Sequence, residues 1–123
     1  MKLKVTESQI QIMIFDWASM MINKYPELKL MHHIPNGTYK SITGAVRAKA
    51  EGLKSGVPDI CLPVPKSGFH GLYIELKASK KNKPSENQEW WLEKLKDQGY
   101  KAEVAYGFDE AINTIKSYLE LNK

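Results

Sequence analysis

The chain has 123 residues, 42% hydrophobic and 26% charged, the composition of one water-soluble globular domain with a single core. The 18 Lys and Arg against 14 Asp and Glu leave a net charge of +4, a modest excess that suits a polyanionic partner without requiring one. No apolar run approaches the roughly 20 residues of a membrane span, Glu7 and Asp16 interrupt the N-terminal apolar stretch so that no signal peptide is expected, and the lone Cys61 excludes an internal disulfide and fits a reducing, cytoplasmic setting.

Thr6-Glu7-Ser8-Gln9 reads as a capping box that opens a first helix, with Ile10, Ile14, Trp17 and Met21 on one face. Leu30 to Ile34 is a short strand candidate, closed by the turn signal Pro35-Asn36-Gly37. A second helix is expected over Gly44 to Lys54, with Gly56 as its left-handed stop. Val57 to Val64 and Leu72 to Ala78 read as two strands of a hairpin. Ser85-Glu86-Asn87-Gln88 is a second capping box, opening a helix that ends before Gly99. Lys101 to Tyr106 alternates as a strand does, and Asp109 caps a last helix that buries Ile112, Ile115 and Leu119. The order αβαββαβα describes a compact α/β sandwich, a mixed central sheet flanked by helices.

The chemistry concentrates in Gly56-Val57-Pro58-Asp59-Ile60 and Tyr73-Ile74-Glu75-Leu76-Lys77. Strand side chains alternate faces, so Glu75 and Lys77 point one way while Ile74 and Leu76 point into the core. Asp59 and Glu75 are equidistant in sequence from Ser67, so a hairpin centred there sets them opposite each other. Cross-strand partners on one face lie roughly 4.5–5.5 Å apart at Cβ. Two carboxylates at that range repel unless a cation joins them, and a hard divalent ion such as magnesium is the natural one. Lys77 one pleat further adds a positive charge. Such a set suits phosphodiester hydrolysis, in which metal and lysine stabilise charge and orient water. The bland alternative is an exposed strand carrying an i, i+2 ion pair near a turn carboxylate.

With these residues in place the chain resembles the VRR-NUC (virus-type replication-repair nuclease) branch of the PD-(D/E)xK nuclease superfamily. The resemblance runs along nearly the whole chain as one domain: Glu7, His33 to Gly37, the Pro58-Asp59 and Glu75-x-Lys77 motifs, Ser85-x-x-Gln88-x-x-Trp91-x-x-x-Leu95, Gly99-Tyr100 and Val104 to Gly107. It implies a restriction-endonuclease-like αβββαβ core. It implies Asp59 and Glu75 as metal ligands, the Ile60 main-chain carbonyl and Glu7 as further ligands, Lys77 as the catalytic lysine, and Gln88 as the polar residue that steadies the site. Glu7 reads equally as a first-turn acid favoured by the helix dipole, and Gln88 equally as the N3 residue of its capping box.

Lys80, Lys81 and Lys83 crowd just after the Glu-x-Lys strand, where they can neutralise DNA phosphates. Arg47 (the single arginine), Lys49 and Lys54 offer a second phosphate-contacting face, and Asn36 reads either as a plain turn residue or as part of a backbone brought close to DNA. Trp90 and Trp91 read as packing residues rather than base-stacking platforms. His32, His33, His70 and Cys61 lack zinc-site spacing, and no phosphate-binding or dinucleotide-binding glycine loop occurs, so no nucleotide cofactor is expected. The expectation is a magnesium-dependent (manganese-tolerant) DNA endonuclease, working as a homodimer on branched DNA such as Holliday junctions. A flap, end or restriction-type nuclease would share the chemistry, and a catalytically silent DNA-binding module would share the fold.

Overall fold

The computed structural model describes residues 4–36 and 41–122. Its elements are α1 (Glu7–Met20), a 3-10 turn (Pro26–Leu30), β1 (His32–His33), α2 (Ile42–Ala50), β2 (Ile60–Leu62), β3 (Leu72–Lys77), α3 (Glu86–Asp97), β4 (Lys101–Tyr106) and α4 (Phe108–Leu119). The four strands form one mixed sheet in the order β1-β2-β3-β4. The first two pairings are antiparallel and β3–β4 is parallel, joined by α3 as a parallel pair requires. This is the expected α/β architecture, with α2 inserted after the first strand and α4 appended. No described helix is long and apolar enough to cross a membrane.

Helices α1 and α4 close one face of the sheet. Ile10, Ile14 and Ala18 of α1, Ile112, Ile115 and Leu119 of α4, and Ile60, Leu62, Leu72, Ile74 and Leu76 of the strands form a single core. Trp17 and Met21 only pack at its rim, since Ala18 takes the central place on α1. Tyr118 is fully buried there, and its hydroxyl donates to the Val64 carbonyl, which leaves the phenol satisfied. Helix α3 covers the other face, where its Gln88 meets Glu75 and Lys77, and Tyr73 packs edge-on against Tyr100 just past the helix end.

Several boundaries move from expectation for stated reasons. Pro26 starts a 3-10 turn that absorbs Leu30, which leaves β1 with two residues. Helix α2 starts earlier, because Ser41 caps it by accepting from the Gly44 amide at 3.0 Å. It also stops earlier, because Gly52 reaches positive φ (106°) before Gly56 does. Gly56 serves a different purpose: a Cβ there would stand 2.8 Å from Cβ of Asn87, so it lets the chain press against the start of α3. Strand β2 is trimmed by Pro58 and Pro63, which cannot donate to a ladder. The cap of α4 is Gly107, not Asp109, which instead lies in the first turn.

The hairpin reaches its register indirectly. The tight turn is Ser67-Gly68, both at positive φ (50° and 87°), with Lys66 and Phe69 exchanging hydrogen bonds of 3.1 and 2.8 Å. That turn is centred half a residue later than Ser67. An extra residue in the Pro63-Val64-Pro65 arm, a bulge, restores the pairing Ile60↔Ile74, Cys61↔Tyr73 and Leu62↔Leu72, each pair equidistant from Ser67.

Candidate active site

Asp59 stands one residue before the β2 ladder and extends its register toward Glu75. Its placement is secured three ways. Oδ2 accepts from the Leu76 amide at 2.8 Å, while its carbonyl accepts from the Ile34 amide at 2.8 Å and from Nδ1 of His33 at 2.8 Å. Because a carbonyl can only accept, His33 must carry its proton on Nδ1. The Asn36 amide donates to the Val57 carbonyl at 2.8 Å, so its side chain is occupied in steadying the Val57-Pro58-Asp59 approach. Gly37, the rest of that turn motif, lies outside the described residues. His33 is a positioning residue that sequence reasoning assigned only to structure. Its place beside Asp59 depends on the β1–β2 pairing, which no local pattern announces.

Glu75 is 1% exposed and Lys77 8%. That removes the bland alternative of a solvent-exposed ion pair and puts the pair inside the protein, under α3. Lys77 Nζ lies 3.8 Å from Glu75 Oε2 and donates to Gln88 Oε1 at 2.9 Å. Gln88 Nε2 in turn donates to Glu75 Oε2 at 3.1 Å. The same Gln88 Oε1 accepts from the Ser85 amide at 2.9 Å, which completes the capping box of α3. Cap and site are therefore one residue's work, and the two readings of Gln88 do not compete.

The remaining carboxylate oxygen, Glu75 Oε1, is buried without a hydrogen-bond partner. Burial pushes the Glu75 carboxyl up to about 8; the neighbouring Asp59 adds to the rise through its charge and because it can accept a hydrogen bond only from a protonated Glu75, Lys77 opposes it, and Glu7 adds a last upward push. With both carboxylates ionised, Asp59 offers Glu75 only acceptors. The arrangement is relieved by a proton or by a cation. Tyr73, two positions earlier on the same face, is pushed by burial up to about 12 and keeps its proton near neutral pH.

The donor set suits magnesium, which takes one or two carboxylates and retains several waters. Ile60 buries its side chain in the core, so only its main chain is available to the site. Among the described residues no three acidic, histidine or cysteine side chains gather closely enough to hold one ion. Glu7 thus stands back from the Asp59–Glu75 pair, exposed on the first turn of α1, and reaches Glu75 through its field. Lys80, Lys81 and Lys83 are exposed on the segment between β3 and α3. Arg47 and Lys54 are exposed on and just beyond α2, and Lys54 lines a groove against α3 that also contains Trp90.

Residues 5–109 match the family model of the VRR-NUC domain, a span that contains every residue of this site. A solved structure of a VRR_NUC domain protein is similar to the chain throughout: 30% sequence identity, TM-score 0.85, covering 98% of this chain and 93% of that one. No curated protein matches the chain.

Proposed function

The chain belongs to the VRR-NUC domain family and has a nuclease fold, and from that premise we propose that it hydrolyses phosphodiester bonds of DNA as a magnesium-dependent endonuclease. The observation that carries this reading is the partnerless, buried Oε1 of Glu75 beside Asp59. A carboxylate buried without full pairing is costly to stability, and such a cost is accepted where a ligand repays it.

In this reading Asp59 and Glu75 hold one magnesium ion, manganese substituting, with waters and the main chain near Ile60 completing the shell. A bound ion would polarise a phosphoryl oxygen and lower the pKa of water. The chain's own groups do the rest. Gln88 fixes Oε2 of Glu75, which leaves Oε1 for the ion. Gln88 Oε1 accepts from the Lys77 ammonium, and in this reading Lys77 orients the attacking water and stabilises negative charge as it builds on the phosphate. Leu76 N and His33 hold Asp59 still. Exposed Lys80, Lys81 and Lys83 draw in the polyanion, so binding should weaken steeply with salt.

The proposed substrate is branched DNA, a four-way junction first, cut by two copies whose paired sites nick two strands. Ile12, Met13 and Met20, exposed apolar residues of α1, supply surface that a second copy could cover. The test is a panel of labelled junctions, flaps and linear duplexes with magnesium, using wild type and Glu75→Ala. Symmetric nicking of the junction by wild type alone is expected. A wild type that cuts nothing would remove the enzyme reading, and a Glu75→Ala that cuts equally would remove the site.

A further inference from the structure

Beside the site lies a groove of about 710 Å³ that the proposed chemistry does not use. One wall is the end of α2 and the segment after it, with Lys49, Lys54 and Ser55; the other is the first half of α3, with Glu86, Asn87, Trp90 and Trp91. The walls are tied together. Trp91 Nε1 donates to the Ser55 carbonyl at 3.1 Å, and Asn87 Nδ2 donates to Ser55 Oγ at 3.4 Å. Gly56 presses on Asn87 with no room for a Cβ. The two tryptophans then divide the work. Trp91 is half-buried and fixed by its hydrogen bond. Trp90 meets it edge-on, centroids 5.6 Å apart at 85°, and is 53% exposed. The expectation that both tryptophans are packing residues therefore holds for Trp91 and fails for Trp90.

Both walls of the groove lead into the site along the chain. Ser55 and Gly56 run directly into Val57-Pro58-Asp59, and Asn87 immediately precedes Gln88. An exposed tryptophan sharing a groove with two lysines is a combination that binds a single strand: bases stack on the ring while phosphates meet the ammonium groups.

We infer that this groove is a subsite for an unpaired nucleotide of the DNA substrate, its base stacked on Trp90 and its phosphates against Lys49 and Lys54. The subsite rests on the nuclease reading and narrows it: the groove takes a nucleotide that opening of the branch point leaves unpaired beside the phosphate to be cut.

The test uses the full chain in calcium, so that binding is read without turnover, and a duplex with a short single-stranded extension. A second duplex carries the same extension built from abasic nucleotides, which keeps the phosphates and removes the bases. Fluorescence anisotropy should show wild type binding the base-bearing extension about tenfold tighter, within the range for base–aromatic stacking. Trp90→Ala should lose that discrimination and Trp90→Phe should keep most of it. Equal wild-type affinity for the two extensions, or undiminished discrimination in Trp90→Ala, would overturn the subsite. Cutting is scored separately in magnesium. Cutting without base discrimination sinks the subsite alone, whereas discrimination without cutting of any substrate sinks the nuclease reading and leaves a strand-binding groove.

Discussion

The Gln88 amide nitrogen donates to Oε2 of Glu75 at 3.1 Å, from a helix that approaches the sheet over the face opposite the main core. Its oxygen meanwhile serves both Lys77 and the Ser85 amide. The start of α3 and the site are thereby one hydrogen-bonded unit, and whatever misplaces the helix end misplaces the lysine.

Gln88→Ala should therefore lower kcat by roughly 10–100-fold, the range for residues that orient metal ligands, with little change in KM. It should also cost roughly 0.3–1.5 kcal/mol in lost capping, read as a lower Tm. Gln88→Glu separates the two effects. It keeps an acceptor for Ser85 N and should recover most of the Tm, but it sets a third carboxylate beside Glu75 and should not recover kcat.

The pH dependence follows from Glu75. Its folded-state value of about 8 lies above the ordinary 4.5, so the folded protein holds the extra proton between those limits. The stabilising contribution is complete below about 4.5 and is lost as pH rises through about 8. The Tm of metal-free protein should fall across this window. Magnesium must displace the proton, so its apparent affinity should rise about tenfold per pH unit and level off above about 8. A calorimetric titration in two buffers of different ionisation heat would read the released proton directly.

Glu75→Gln removes the charge whose burial is costly and can donate a hydrogen bond to Asp59. We expect metal-free Glu75→Gln to be more stable than wild type at pH above 8, by about 1–2 kcal/mol, while cutting is abolished. Chemical denaturation at that pH checks the first half, and junction nicking checks the second.

Lys77→Ala should depress kcat by about 10²–10³, as loss of one donor to a developing oxyanion does, and leave DNA affinity nearly unchanged. Calcium should occupy the carboxylates and support binding with little cleavage. Single-turnover kinetics alongside equilibrium binding separates these effects.

The site was readable to the extent that it follows from alternation and spacing. Glu75 and Lys77 share a face because strands alternate, and the equidistance of Asp59 and Glu75 from Ser67 anticipated the ladder. The agreement hides a compensation, since the Ser67-Gly68 turn is displaced and a bulge near Pro63 and Pro65 corrects it. What the sequence could not show depends on tertiary placement. Whether Glu75 is exposed or buried is decided by α3, which lies over β3 only once the parallel β4 is paired. His33 reaches Asp59 through a two-residue strand too short to have a pattern. Gly56 was expected to stop α2, but Gly52 does so first, and only packing against Asn87 shows what Gly56 is for. Trp90 and Trp91 are neighbours in sequence, and a helix turns consecutive residues to different surroundings.

The central claim is that Asp59 and Glu75 share one divalent cation, and the most direct measurement is a calorimetric titration of manganese into wild type, Asp59→Asn and Glu75→Gln at a pH above 8. The account predicts saturable binding by wild type, weakened at least tenfold by either substitution. Equal affinity in all three proteins would contradict it.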